Sequence, residues 1–161
     1  MAKDLLDDLL EQRDEWRAEM REAVVLVKGK EASWETNRHG KMQWYLHPAL
    51  MKKMGLRTLI VYRQEIPPGS HTGKQKVQGG ILHYVIKGRG YSIIDGLRMD
   101  WKAGDSIALP IKWNGVEYQH FNSDPGEPVL MVATHTNLFS IFGVDQGSGF
   151  EQLEEAPEYD K

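Results

Sequence analysis

The chain contains no cysteine, and this absence removes several kinds of site at once. Disulfides, thiolate nucleophiles and cysteine-ligated zinc sites are excluded. The chain also lacks a basic excess, because its net charge is -3, so the composition does not indicate a nucleic-acid partner. No apolar run is as long as a membrane span, and the N-terminus lacks the apolar centre of a signal peptide. We therefore expect a cytoplasmic protein that binds neither membrane nor nucleic acid.

The chain has 161 residues, enough for one domain with a sizeable core, and 40% of them are apolar. Residues 1–30 differ in style from the rest. Leu5, Leu9, Trp16 and Met20 recur at helical spacing among charged residues of both signs. This pattern predicts an N-terminal α-helical arm that packs on the domain or on a partner subunit.

The sequence from residue 56 onward consists of short runs rich in β-branched and aromatic residues, separated by Gly, Pro and Asp. Within it, Asp95-Gly96 is typical of a two-residue hairpin turn. Strands at this spacing, without helices between them, predict an all-β antiparallel sandwich or barrel, which we place at residues 31–145. Residues 146–161 are acidic and predict a surface tail that is ordered only in part.

Two stretches of the β-rich region resemble the signature motifs of the cupins, which are small jelly-roll β-barrels with an internal pocket. The first runs from Pro68 to Gly88 and ends in "YVIKG"; the second begins at Gly104-Asp105 and continues to "YQHFN". The layout is most similar to the gentisate/salicylate ring-cleaving dioxygenases and their small single-domain relatives. The resemblance implies a cupin jelly-roll β-barrel and a role in the metabolism of small aromatic compounds.

The resemblance also implies where metal ligands would lie. A metal cupin brings two histidines of one strand, a glutamate of the next and a histidine of the second motif to one ion. Aligned on "YVIKG", the two histidine positions fall on Gln75 and Val77, the glutamate position on Ile81, and the last histidine position on Tyr118. Val and Ile cannot ligate a metal, and Gln and Tyr are unusual ligands for divalent iron. We therefore expect no metal cofactor.

Two histidines remain on the strands of this pattern. His83 follows Ile81 by two residues and His120 follows Tyr118 by two, so each should share its neighbour's inward face. Two inward imidazoles can transfer protons near neutral pH, and an imidazolium can pair with a carboxylate. The resemblance implies that the position of His83, an arginine in the family, holds a substrate carboxylate, and that His120 lies near the substrate. We predict His83, His120 and Tyr118 as catalytic residues.

Five further side chains are predicted to contact the substrate. Gln64 matches a pocket glutamine of the family, and Gln75 is interpreted as a polar wall residue rather than a ligand. Val77 and Ile81 would form apolar wall at the substituted ligand positions, and Trp113 is expected to contribute aromatic lining.

A rearranged metal site is the alternative to a metal-free pocket. His83 and His120 would have to meet either His71 or Gln75 around Fe²⁺ or another divalent transition metal, and for His71 the loop that carries it would have to bend inward. His39 and His135 receive no predicted role.

Three functions are compatible with the sequence. The preferred one is a metal-independent lyase, isomerase or decarboxylase acting on a small aromatic or carboxylate-bearing compound. The alternatives are a gentisate-dioxygenase-like enzyme with a displaced iron site, and a non-catalytic cupin that binds or senses a small molecule. We also expect a homodimer, because "ILHYVIKG" is apolar on both faces and its outer face needs cover.

Overall fold

The computed structural model describes residues 4–50, 56, 58–137, 150–157 and 159. The elements within this part of the chain are α1 (Leu5–Arg21), β1 (Trp34–Asn37), β2 (Gly40–Leu46), β3 (Leu59–Ile66), β4 (Lys74–Val77), β5 (Ile81–Lys87), β6 (Arg89–Ile94), β7 (Leu97–Lys102), β8 (Ser106–Leu109), β9 (Val116–Asn122), β10 (Val129–Thr136) and β11 (Phe150–Glu154).

The strands form two antiparallel sheets, in the orders β1-β2-β3-β10-β5-β8 and β11-β4-β9-β6-β7. Side chains from both sheets share one apolar core, which includes Val85 and Met131 of the first sheet and Val116 of the second. These three side chains have no exposed surface. Burial alternates along most strands, as the period of two requires for a sheet with one face in the core. The all-β jelly-roll prediction is confirmed.

Helix α1 begins at a capping box, in which the Asp4 side chain accepts from the backbone N–H of Asp7 and the Asp7 side chain accepts from that of Asp4. The helix ends at Arg21, earlier than the predicted arm, and two β-branched residues, Val24 and Val25, follow shortly afterwards. None of its side chains is buried. Among the described residues, no helix has both the length and the apolar character needed to cross a membrane.

The turn between β6 and β7 is the one that the sequence predicts. Asp95 and Gly96 both have positive φ, of 49° and 81°. This geometry is that of the type I′ turn, whose twist matches that of the two strands. The Asp95 carboxylate also accepts a hydrogen bond from the Glu117 backbone N–H at 2.9 Å, which ties the turn to β9.

The C-terminal segment differs from the predicted surface tail. Its strand β11 pairs along β4 and extends the second sheet. Opposite charges support this pairing: Glu151 lies across from Lys76, and Glu154 lies 3.8 Å from Lys74. The Tyr159 hydroxyl then donates to a loop carbonyl at 2.8 Å. The prediction is therefore corrected at β11, which belongs to the barrel.

The outer face of β5 carries three apolar side chains that alternate with its inward residues. Leu82, Tyr84 and Ile86 are 41%, 47% and 45% exposed. This is the face from which the sequence predicts a homodimer, and the homodimer stays a prediction.

Candidate functional site

A cavity of about 410 Å³ lies between the two sheets. Its wall contains side chains from five strands of the first sheet or their turns and from three strands of the second. The lining residues are Asn37, Arg38, His39, Met42, Trp44, Tyr62, Gln75, Val77, Ile81, Tyr118, His135 and Gln152.

The substituted ligand positions converge on this cavity. Gln75, Val77, Ile81 and Tyr118 all line it, although they come from three different strands. Each is at most 8% exposed. This convergence agrees with the sequence alignment, which assigned them to one site. These four side chains do not fit a divalent metal ion, because Val77 and Ile81 are aliphatic and cannot coordinate one. Among the described residues, no group of three His, Cys, Asp or Glu side chains could hold a metal ion.

A chain of side-chain hydrogen bonds fixes Tyr118 in the wall. Its hydroxyl donates to Gln75 Oε1 at 2.7 Å, and Gln75 Nε2 donates to Gln152 Oε1 at 2.8 Å. The chain runs from β9 across β4 to β11, so the C-terminal strand orients the tyrosine. Burial raises the pKa of Tyr118 well above its ordinary value and that of Tyr62 to about 12. Both hydroxyls therefore stay protonated at neutral pH and act as hydrogen-bond donors.

His83 and His120 point into the barrel, as strand alternation predicts, and neither side chain is exposed. Their ring centroids lie 4.4 Å apart, and the Tyr118 ring lies 5.6 Å from His83 and 5.2 Å from His120. Neither histidine lines the cavity described above. The pair thus packs behind Tyr118, one layer deeper than a catalytic pair would need to be to touch a ligand in this cavity.

A buried chain of hydrogen bonds sets the state of His120. The Trp101 indole N–H donates to Ser92 Oγ at 2.8 Å, and Ser92 Oγ lies 2.7 Å from His120 Nδ1. Because the indole is a donor only, the Ser92 hydroxyl hydrogen is free to point at His120 Nδ1. We assign the His120 proton to Nε2, which has no hydrogen-bond partner among the described residues. Both ring nitrogens of His83 also lack a hydrogen-bond partner among the described residues.

Burial keeps both deep imidazoles neutral. It lowers the pKa of His120 to about 3 and that of His83 well below its ordinary value, with a further lowering of the latter by charge on His120. The predicted pairing of an imidazolium with a carboxylate therefore does not fit these two residues at neutral pH.

His39 is a site residue that the sequence analysis did not identify. It follows β1, is only 4% exposed, and its ring lies 5.9 Å from that of Tyr118. Neither ring nitrogen makes a hydrogen bond to a described residue. Burial lowers the pKa of His39 to about 4, while a smaller backbone contribution from Gly73 acts in the opposite direction. The cavity wall thus contains a neutral imidazole beside a protonated phenol.

Gln64 supports this histidine rather than the ligand. Its side chain is fully buried and points inward, as predicted, but it does not line the cavity. Its amide Nε2 donates to the His39 carbonyl at 3.2 Å, and the Gly73 backbone N–H donates to the same oxygen at 3.1 Å. These two bonds hold the turn that presents His39.

Trp113 lies outside the pocket, and its predicted role in substrate binding is wrong for this structure. The side chain is 93% exposed in the segment between β8 and β9. A residue in an irregular segment has no period of two to direct it inward, so aromatic character alone was not a guide to its position.

His71 does not meet His83 and His120, so the alternative metal set that includes His71 is not assembled. Its Nδ1 lies 2.9 Å from the Thr72 carbonyl oxygen, and its ring packs 5.3 Å from Phe121. Phe121 and His120 are consecutive on β9 and therefore point to opposite faces. His71 is consequently on the outer side of the strand.

Seven other lining residues were also missed: Asn37, Arg38, Met42, Trp44, Tyr62, His135 and Gln152. Tyr62 precedes Gln64 by two on β3, and His135 continues the inward alternation of Met131 on β10, so strand parity alone would have placed both. Gln152 comes from the segment that was assigned to the tail. Nothing local in the sequence indicated it.

Comparison with known proteins finds no matching family model and no matching curated protein. Solved structures do match. A predicted oxalate decarboxylase from Thermotoga maritima is 21% identical, with a TM-score of 0.55, covering 70% of this chain and 98% of its own. An RmlC-like cupin from Shewanella frigidimarina is 15% identical, with a TM-score of 0.57 and coverage of 74% and 96%. The polyketide cyclase RemF from Streptomyces resistomycificus is 14% identical, with a TM-score of 0.57 and coverage of 70% and 79%. At these identities the likeness establishes the fold.

Proposed function

We propose that this chain, a single domain with the cupin fold, is a metal-independent enzyme that moves protons on a small aromatic compound bound in the barrel. The observation that carries the proposal is that the neutral His39 ring lies 5.9 Å from the ring of the protonated Tyr118 in a cavity wall whose substituted ligand positions do not fit a metal. The reaction class is that of an isomerase, lyase or decarboxylase.

The shape and lining of the cavity support an aromatic ligand. Its volume falls within the range of small-molecule sites, which is roughly 300–1,000 Å³. Trp44 and Tyr62 form an edge-to-face pair with centroids 5.1 Å apart, and His135 extends the row at 6.2 Å from Tyr62. Rings in such a row offer a planar ligand both faces and edges to contact.

The chemistry follows from two polar side chains of the wall, His39 and Tyr118, whose ring centroids lie 5.9 Å apart. The neutral His39 imidazole accepts a proton from a carbon next to a ligand carbonyl; the electron pair of that C–H bond forms a carbon–carbon double bond, and the π pair of the carbonyl moves to its oxygen. Tyr118 donates its hydroxyl hydrogen bond to that oxygen in place of Gln75 and so stabilises the developing charge. Return of the proton to another carbon completes an isomerisation. His83 and His120 remain packed behind Tyr118 and position its ring.

The structural neighbours support an enzyme acting on a small molecule. Two of them are named as a predicted oxalate decarboxylase and a polyketide cyclase, so barrels of this fold are associated with chemistry on small compounds. Their names do not determine the substrate of this chain, because one fold carries many reactions.

The proposal is tested by hydrogen exchange into 2-tetralone, a bicyclic aromatic ketone with acidic C–H groups beside its carbonyl. In D₂O containing EDTA, NMR should show that the protein accelerates deuterium incorporation. His39→Gln should slow the catalysed rate by about 10²–10⁴-fold, the usual contribution of a general base. His71→Gln, a matched change outside the cavity, should leave the rate unchanged.

Two results would contradict the proposal. One is that the His39→Gln variant exchanges as fast as the parent chain, which would remove the imidazole from the reaction. The other is tight binding of the probe with no accelerated exchange, which would favour the non-catalytic binding function instead.

A further inference from the structure

We infer that the cavity selects an uncharged aromatic ligand carrying a hydroxyl or carbonyl group and discriminates against the same ring system carrying a carboxylate. The inference rests on the proposed function and narrows its substrate class. The sequence leaves both aromatic and carboxylate-bearing compounds open as substrates.

The cavity wall offers an anion almost no cationic partner. Arg38 is the one lining residue with a permanent positive charge among the described side chains. Its side chain is 77% exposed, and its guanidinium lies 3.7 Å from the Glu155 carboxylate. The charge is therefore solvated and partly compensated at the mouth of the cavity, away from the ring-lined wall.

The ionisable groups deeper in the wall are uncharged. They are His39 and His135, each with its pKa lowered to about 4 by burial, and the two tyrosines Tyr62 and Tyr118, which stay protonated. At neutral pH a pKa of about 4 leaves on the order of one imidazolium in 10³ molecules. Binding of a carboxylate that needs an imidazolium partner is therefore weaker, by about that factor, than binding to a site that already holds a cation.

The layer behind the wall does not supply a cation either. His83 and His120 are fully buried, and charge on His39, on His120 or on His135 would each lower the pKa of His83 further. Protonation of one imidazole therefore opposes protonation of the next. The cluster responds to an approaching anion as a set of neutral dipoles.

The neutral groups on the wall suit a hydroxyl or carbonyl oxygen. Both His39 ring nitrogens are buried and have no hydrogen-bond partner among the described residues. In the neutral ring one is a donor and the other an acceptor. The Tyr118 hydroxyl and the Gln75 and Gln152 amides add further donors and acceptors. A ligand hydroxyl can both donate and accept here, whereas a carboxylate only accepts and would be dehydrated without a cation.

The test is isothermal titration of the full chain with three probes of one ring system: 2-naphthol, 2-naphthoate and naphthalene. At about pH 7.5 we expect 2-naphthol to bind at least about tenfold more tightly than 2-naphthoate, and naphthalene to bind more weakly than 2-naphthol. Between about pH 7.5 and pH 5.5 the affinity for 2-naphthol should stay constant. Any weak 2-naphthoate binding should strengthen by up to tenfold per pH unit, since it requires an imidazolium.

Variants separate the two sources of anion affinity. His39→Gln should weaken 2-naphthol binding, and His71→Gln, a change outside the cavity, should leave it unchanged. Binding of 2-naphthoate as tight as that of 2-naphthol at neutral pH would overturn the inference, and its loss in Arg38→Gln would locate an anion site at the mouth. Those results would not contradict the proposed function, because proton transfer from an aromatic ketone does not depend on how the cavity treats a carboxylate. Failure of all three probes to bind would instead contradict the proposed function.

Discussion

Replacing Ser92 with alanine should destabilise the barrel far more than the loss of one oxygen suggests. Ser92 has no exposed surface and contacts two buried partners, the Trp101 indole N–H at 2.8 Å and His120 Nδ1 at 2.7 Å. The alanine removes both hydrogen bonds and leaves both partners unpaired in the core. An unsatisfied buried group costs about 1–3 kcal/mol, so with two partners unpaired Ser92→Ala should lower the free energy of unfolding by about 2–6 kcal/mol.

Urea unfolding followed by tryptophan fluorescence measures this change. Ser106→Ala is a matched control, because Ser106 is exposed on β8, and it should stay within about 0.5 kcal/mol of the parent chain. If Ser92→Ala unfolds at the same urea concentration as Ser106→Ala, the buried chain from indole to imidazole does not exist as described. The assignment of the His120 proton to Nε2 would then lose its basis.

Three further changes are expected. Asn122→Ala removes an amide that donates to three backbone carbonyls, and chemical unfolding should show a loss of about 2–4 kcal/mol. Acid should destabilise the fold early: His39 and His120 have pKa values lowered to about 4 and about 3, so the unfolded chain takes up protons first as pH falls below about 6.5. Each of these two histidines should lower the free energy of unfolding by about 2 kcal/mol at pH 5, measured by unfolding at a series of pH values. A stability that does not change with pH in this range would contradict the assignment of neutral imidazoles. If the outer face of β5 forms a homodimer, Tyr84→Glu should yield monomers by light scattering.

Strand periodicity explains what the sequence could predict about the site. On β4 and β5, residues two apart share a face, so a single anchored alignment directs Gln75, Val77, Ile81 and His83 inward. The motif spacing then identified Tyr118 as the facing residue on β9. The period of two determines the face of the sheet to which a side chain points, and each of these side chains points inward as expected.

Strand periodicity could not predict how far a side chain lies from the cavity, or which residues distant in the sequence meet there. His83 points inward as predicted but lies behind Tyr118, because parity gives the face and not the distance from the cavity. His39 is presented by a turn that Gln64 holds from another strand, and Gln152 enters from the C-terminal strand. Such contacts depend on the folded sheet order, which local pattern does not contain. Trp113, in an irregular segment, had no period to constrain it.

We propose that the barrel works with neutral imidazoles and phenols and that its wall does not fit a metal ion. Elemental analysis of the full chain, purified without added metal and compared before and after EDTA treatment, tests this claim most directly. The account predicts only substoichiometric iron, manganese or zinc, and no change in stability on chelation. One transition-metal ion per chain, located by anomalous scattering between Gln75 and Tyr118, would contradict it.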